Sequence, residues 1–255
     1  MNIITCYKLV PEEQDLIVND DYSVSWDKAE WKIGTYDLNG VEAGVQLIES
    51  VGGKLTALSI GDNILENDKL KKAILSRGPE ELVTVVDNEL KDLDGHNTAK
   101  LLAAAVKKIG LFDLILCGEG SSDIYSQQVG LQLGELLDVI TINAVSKITP
   151  QGDKIIVERS LDNVVEVLEI TPPAVLSVTT DINVPRIPTL KEILAAGKKP
   201  VTKFSLSDID EENVPVVEYI KTAAPEQADR KNIILEGATE ENINKLYDYI
   251  RQELA

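Results

Sequence analysis

The residues best suited to ligand chemistry are Gly118, Gly120, Ser121, Ser122 and Asp123, in the stretch FDLILCGEGSSDIYSQQVG at 112–130. They follow Leu114, Ile115, Leu116 and Cys117, an unbroken apolar run that predicts a parallel strand buried on both faces. The loop then stands at a strand's carboxyl end, the edge where open α/β sheets bind ligands and where backbone N–H groups suit a phosphate. It carries no Lys or Arg, so N–H groups and hydroxyls would do the holding. Asp123 would repel a phosphate and is read as capping the next helix or ordering the loop. The same pattern also describes an ordinary strand–helix turn, with Gln127 and Gln128 as solvated helix residues.

Other chemistry is scarce. The single histidine, His96, stands ahead of a predicted helix in DGHNTAK and reads as a turn or cap residue, which disfavours a histidine-dependent triad. There is no G-x-x-x-x-G-K-[ST] phosphate loop, and GEGSSD lacks the third glycine of a dinucleotide fingerprint. GEGSSD resembles the Ser-Gly-Gly-x-Asp-Ser loop of ATP pyrophosphatases, but that loop should follow the first strand, where this chain has Lys8-Leu9-Val10-Pro11. No catalytic residue and no metal site is assigned. Cys6 and Cys117 lie in apolar runs and read as buried thiols of a reducing compartment. Acidic residues outnumber basic ones 43 to 25, and a formal charge of −18 opposes nucleic acid as a partner. MNIITCYKLVPEEQ has no basic n-region, and no stretch approaches membrane-spanning length, so a cytoplasmic protein is expected.

The elements that must position the loop follow from periodicity. Residues 2–7 predict a first strand, and 11–32 a polar surface segment. Leu38, Val41, Val45 and Ile48 have helical spacing up to Gly52-Gly53. KLTALSIGD and ELVTVVDN predict strands, Leu65, Leu70 and Ile74 a helix between them, and 98–109 another. Such alternation predicts a right-handed, mostly parallel sheet. TINAVSKIT, KIIVERSL and VVEVLEIT then predict an antiparallel meander, and AVLSVTTDIN a strand returning to the main sheet. From Val201 the chain turns polar through SDIDEEN and predicts an extended arm, with Thr239 capping an amphipathic terminal helix.

YDLNGVEAGVQL, TALSIG, GEGSSDIYSQQVG, IIVERSLDNVVEVLEI and DINVPRIPTLKEILAAGKKPV occur in an order that resembles the beta subunit of electron transfer flavoproteins. The Ser-Ser-Asp loop and Gln-Gln-Val-Gly are closest to the Fix-type branch. The resemblance implies a Rossmann-like α/β fold of the adenine-nucleotide-binding type with an antiparallel addition. It divides the chain into a nucleotide-binding domain at 1–200 and an arm at 201–255 that contacts an alpha subunit. That alpha subunit would carry the electron-transferring FAD. In ordinary members the beta site holds AMP; in bifurcating members it holds a second FAD that accepts hydride from NADH, with ferredoxin among the acceptors. Other partners would be an acyl-CoA dehydrogenase or a quinone oxidoreductase.

Carried over position by position, the nucleotide-contacting residues are Cys6, Thr35, Tyr36, Asp37, Ile60, Gly118, Glu119, Gly120, Ser121, Ser122, Asp123, Ser126, Gln127, Gln128 and Val129. Cys6 would be a packing neighbour of the adenine, with a plain buried thiol as the alternative. In 185–199, Thr189 should cap a short helix ended by Gly197. The resemblance makes Leu190, Ile193, Leu194, Lys198 and Lys199 a partner-docking element, with the three apolar residues as core the alternative. A stand-alone adenine-nucleotide sensor is the competing reading of the whole chain.

Overall fold

The computed structural model describes residues 1–211, 217, 220–226 and 231–254. The strands are β1 (Asn2–Cys6), β2 (Leu9–Pro11), β3 (Ile17–Val18), β4 (Val24–Ser25), β5 (Trp31–Ile33), β6 (Lys54–Gly61), β7 (Glu81–Val86), β8 (Leu114–Gly118), β9 (Ile140–Gln151), β10 (Lys154–Ser160), β11 (Val165–Ile170), β12 (Ala174–Val178) and β13 (Val201–Phe204). The helices are α1 (Thr35–Val51), α2 (Asp68–Leu75), α3 (Gly95–Ile109), α4 (Val129–Leu137), α5 (Leu190–Ala196) and α6 (Glu240–Glu253).

Nine strands form one sheet in the order β11-β10-β9-β12-β8-β1-β6-β7-β13. From β9 to β13 every neighbouring pair is parallel; β9-β10 and β10-β11 are antiparallel. The fold is therefore the Rossmann-like α/β architecture expected, with the meander appended at one edge.

Alternation along each central strand explains why these runs are apolar throughout. Ile3, Leu55, Leu82, Leu114 and Leu116 face one core with Val41 and Val45 of α1 and Ile74 of α2. Ile4, Leu58, Val83, Ile115 and Cys117 face the other core with Leu101 and Val106 of α3 and Leu133 of α4. A strand covered on both sides has no face to leave polar. β12 is wholly buried between β8 and β9, so AVLSVTTDIN does rejoin the main sheet.

The chain differs from its sequence reading after residue 200. Val201–Phe204 pairs in parallel with β7 as the sheet's last strand, where the reading began an arm. Leu206 and Ile209 in the following 3-10 turn are buried in the second core. Part of SDIDEEN and of the predicted arm falls outside the described residues. The chain divides into two compact units. One comprises Met1–Ile17 and Ser25–Lys221, and the other Val18–Val24 and Thr222–Ala255. In the second, Thr239 caps α6 by accepting from the Asn242 N–H, as predicted. No helix among the described residues is long and apolar enough to cross a membrane.

Candidate functional site at the sheet's switch point

From β1 the chain builds β6 and β7 on one side, then crosses back to lay β8 on the other side of β1. The carboxyl ends of β1 and β8 therefore lead into loops that run opposite ways, the topology that in open α/β sheets sets a crevice between two strand ends. Open α/β sheets take ligands at such a topological switch point. Residues 119–128 lie on the β8 side of the crevice, and Tyr7 and Lys8 on the β1 side.

Asp37, in the first turn of α1, fastens the two strand ends together. Its Oδ2 accepts the Lys8 N–H at 2.8 Å, and its carboxylate also accepts the Gly118 N–H. Burial pushes the Asp37 carboxyl up to about 7, against the pull of those two N–H groups. A Cβ on Gly118 would lie 2.8 Å from Asp37 Oδ1 and from the Tyr36 backbone. This glycine thus lets the helix start press against the strand end. Cys6 and Cys117 are both buried just beneath; the hydrogen bond between their thiols, together with burial, holds Cys6 well above its ordinary value.

The β8 loop is shaped by side chains from both sides of the crevice. Lys8 Nζ reaches Asp123 Oδ2 at 2.6 Å, and Asp123 Oδ1 accepts the Ile124 N–H at 2.9 Å. Burial raises the Asp123 carboxyl, but Lys8, the Ser121 hydroxyl and this N–H outweigh it and hold it below the usual range. The Tyr125 ring packs on Tyr36 with centroids 5.1 Å apart, and Gln127 Nε2 donates to the Tyr125 hydroxyl. Tyr125 and Gln127 both have positive φ, 51° and 56°. Within the loop, the Glu119 N–H is used by Val178 O and the Tyr125 N–H by Ser121 O. The N–H groups of Gly120, Ser122, Ser126 and Gln127 have no acceptor among the described residues.

α4 begins only at Val129, so Asp123 orders the loop and does not cap the helix. Residues 119–128 separate β8 from α4, and 122–128 are exposed. Thr35, Tyr36 and Asp37 open α1 against it, and Ile60 lies on β6 at the same sheet edge, one strand further away. His96 is inside the first turn of α3, where Asp94 is the cap, and its Nδ1 lies 3.0 Å from Gln132 Oε1. Two residues escaped sequence reasoning. Lys8 supplies the cation that the loop lacks, and its position just past the first strand was the available signal. Tyr125 stacks on Tyr36 through a left-handed backbone that no local pattern announces.

A family model described as the electron transfer flavoprotein domain matches residues 24–209. The chain belongs to the electron transfer flavoprotein family. Electron transfer flavoproteins are flavin-associated, and the loop of this family member offers N–H groups with no acceptor among the described residues and one ammonium, donors of the kind an oxyanion takes. In this family the flavin supplies the redox chemistry.

The second predicted element in this electron transfer flavoprotein, α5, forms as expected. Thr189 Oγ1 accepts the Glu192 N–H while Glu192 Oε2 accepts from the Thr189 N–H, a complete capping box. Leu190 is 73% exposed and Leu194 69%, and Ile193 is also exposed, so these three are not core. Lys198 is exposed as well. Lys199 is different: its ammonium turns inward and donates to Leu75 O and Pro79 O, each at 2.7 Å. It braces the end of α2, where the docking reading expects a free surface cation.

Proposed function

We propose that the chain is the beta subunit of a heterodimeric electron transfer flavoprotein of the Fix-type branch. The switch-point loop at 118–129 carries the reading: its N–H groups, which have no acceptor among the described residues, and Lys8 suit a nucleotide's phosphates. FAD is the favoured occupant over AMP, with NADH as donor and flavin-based bifurcation to ferredoxin as one branch. The alpha subunit carries the electron-transferring FAD. The exposed leucines of α5 serve an acyl-CoA dehydrogenase or quinone oxidoreductase, and the arm that includes α6 contacts the alpha subunit. The cytoplasm is the proposed compartment.

Co-expression with an alpha subunit, followed by denaturing extraction of cofactors, tests this. A yellow heterodimer with a second FAD in place of AMP, oxidising NADH, is the expected result. AMP with one FAD per pair would return the chain to the ordinary type. A colourless monomer with no affinity for an alpha subunit would overturn the subunit assignment. The stand-alone sensor reading is favoured by one observation, that the whole crevice is built within one compact unit. It requires tight AMP or ATP binding by the isolated chain with a conformational response.

A further inference from the structure

Lys8 and Asp123 stand 115 residues apart and meet across the crevice at 2.6 Å. It is the only ion pair that the loop at 119–128 makes among the described residues. The backbone of Lys8 is fixed, because Asp37 holds its N–H, while its side chain is 45% exposed at the mouth of the crevice. A carboxylate oxygen thus rests on the site's one ammonium, in a loop whose Gly120, Ser122, Ser126 and Gln127 N–H groups have no acceptor among the described residues. An oxyanion arriving from solvent would seek those same donors.

We propose that Lys8 is the phosphate-binding cation of this site and that Asp123 competes with the phosphate for its ammonium. The inference rests on the nucleotide reading of the crevice and adds a residue and a device to it. The Lys8 end of the pair is open to water, and Asp123 keeps the Ile124 N–H as a donor when its ammonium partner is taken, so exchanging the carboxylate for a phosphate strands neither group. A phosphate also brings more acceptor oxygens to the free N–H groups than one carboxylate can. Asp123 then sets how tightly a phosphate is held: it keeps Lys8 aimed across the crevice, and it lowers phosphate affinity by being there.

The two halves of the pair therefore have opposite signs, which a purely structural bridge would not have. Calorimetric titration of the full chain with AMP and with adenosine separates the phosphate from the base. Lys8→Gln should weaken AMP about tenfold and leave adenosine unchanged, with Lys8→Arg retaining most AMP affinity. Asp123→Asn should strengthen AMP severalfold, again without effect on adenosine. If both Lys8→Gln and Asp123→Asn weaken AMP and adenosine alike, the pair is only a loop latch and the assignment is overturned. An unchanged AMP-to-adenosine ratio in Lys8→Gln would overturn it equally. Wild-type protein that binds neither compound, alone or paired with an alpha subunit, would overturn the nucleotide reading itself, and Lys8 with it.

Discussion

Arg186 clasps Glu42 through Nε at 2.7 Å and Nη2 at 3.0 Å, and the same guanidinium holds Glu49 through Nη1 at 2.8 Å. This forked pair fastens the segment before α5 to α1, beside a second clasp in which Asn39 Nδ2 donates to Asn183 O at 2.9 Å. The two carboxylates differ in setting: Glu42 is buried, whereas the Glu49 side chain is 59% exposed. Removing Glu42 leaves a part-buried cation short of its closest partner, while Glu49 is replaced by water. Glu42→Ala should therefore cost roughly 2–4 kcal/mol and Glu49→Ala under ~1 kcal/mol. Urea unfolding of the two variants checks the ranking, and equal losses would contradict it.

Gly130 sets two rules in opposition. Alanine is the better helix former by about 1 kcal/mol, so Gly130→Ala in α4 would stabilise an isolated helix. Here an added Cβ would lie 2.2 Å from Ser177 Oγ on β12, inside van der Waals contact. Overpacking of ~1–3 kcal/mol should win, and the variant should be less stable than wild type. Adding Ser177→Ala, which removes only the hydroxyl and leaves a Cβ at 3.6 Å, should recover most of the loss. Failure of that second change to help would show that the close approach is not the cause.

Local signals made the elements readable. β8 is a short apolar run closed by Gly118, α3 has its alanine-rich interior, and Thr189 with Glu192 announces a capping box. What escaped depends on residues that meet only after folding. Lys8 and Asp123 lie on opposite sides of the switch point, so no window of sequence contains both. Lys199, expected in the docking element, instead meets three carbonyls at 2.7–3.3 Å, those of Leu75, Gly78 and Pro79, which only the packing of α5 beside α2 brings within its reach. β13 has four residues, three of them exposed, and so carries no alternation to read. Its place is set by the free edge of β7 and by Leu206 and Ile209 behind it.

Asp37 predicts a pH dependence of stability with a definite sign. Burial raises its carboxyl to about 7 in the native chain, whereas an unfolded aspartate titrates near ~3.9. Between those values the native state keeps a proton that the unfolded state has released. The contribution is full below pH ~4 and is lost as pH climbs to about 7, a total on the order of a few kcal/mol. Asp37→Asn removes that slope. It should also lower stability throughout, since its single amide oxygen cannot accept from both Lys8 and Gly118. Denaturant midpoints at pH 5 and pH 8 should converge between wild type and variant as pH rises, whereas parallel curves would sink the assignment.

Leu190 and Ile74 form a matched pair for testing the docking role of α5. Leu190 is the first helical residue after the Thr189 cap and is 73% exposed, so truncating it removes almost no buried surface. Leu190→Ala should leave the thermal midpoint and flavin content near wild type. An apolar anchor beside the exposed Leu194 is also the kind of side chain that dominates a small interface. Electron delivery to the proposed acceptor dehydrogenase should accordingly slow by roughly ten- to a hundredfold, a loss of ~2 kcal/mol. Ile74 of α2 is fully buried in the first core. Ile74→Ala should show the converse, losing about 2–5 kcal/mol of stability with a normal transfer rate per folded molecule. Stopped-flow reduction of the dehydrogenase, normalised to folded protein, separates the two. If Leu190→Ala leaves that rate unchanged, α5 does not dock the dehydrogenase and its exposed leucines serve another surface.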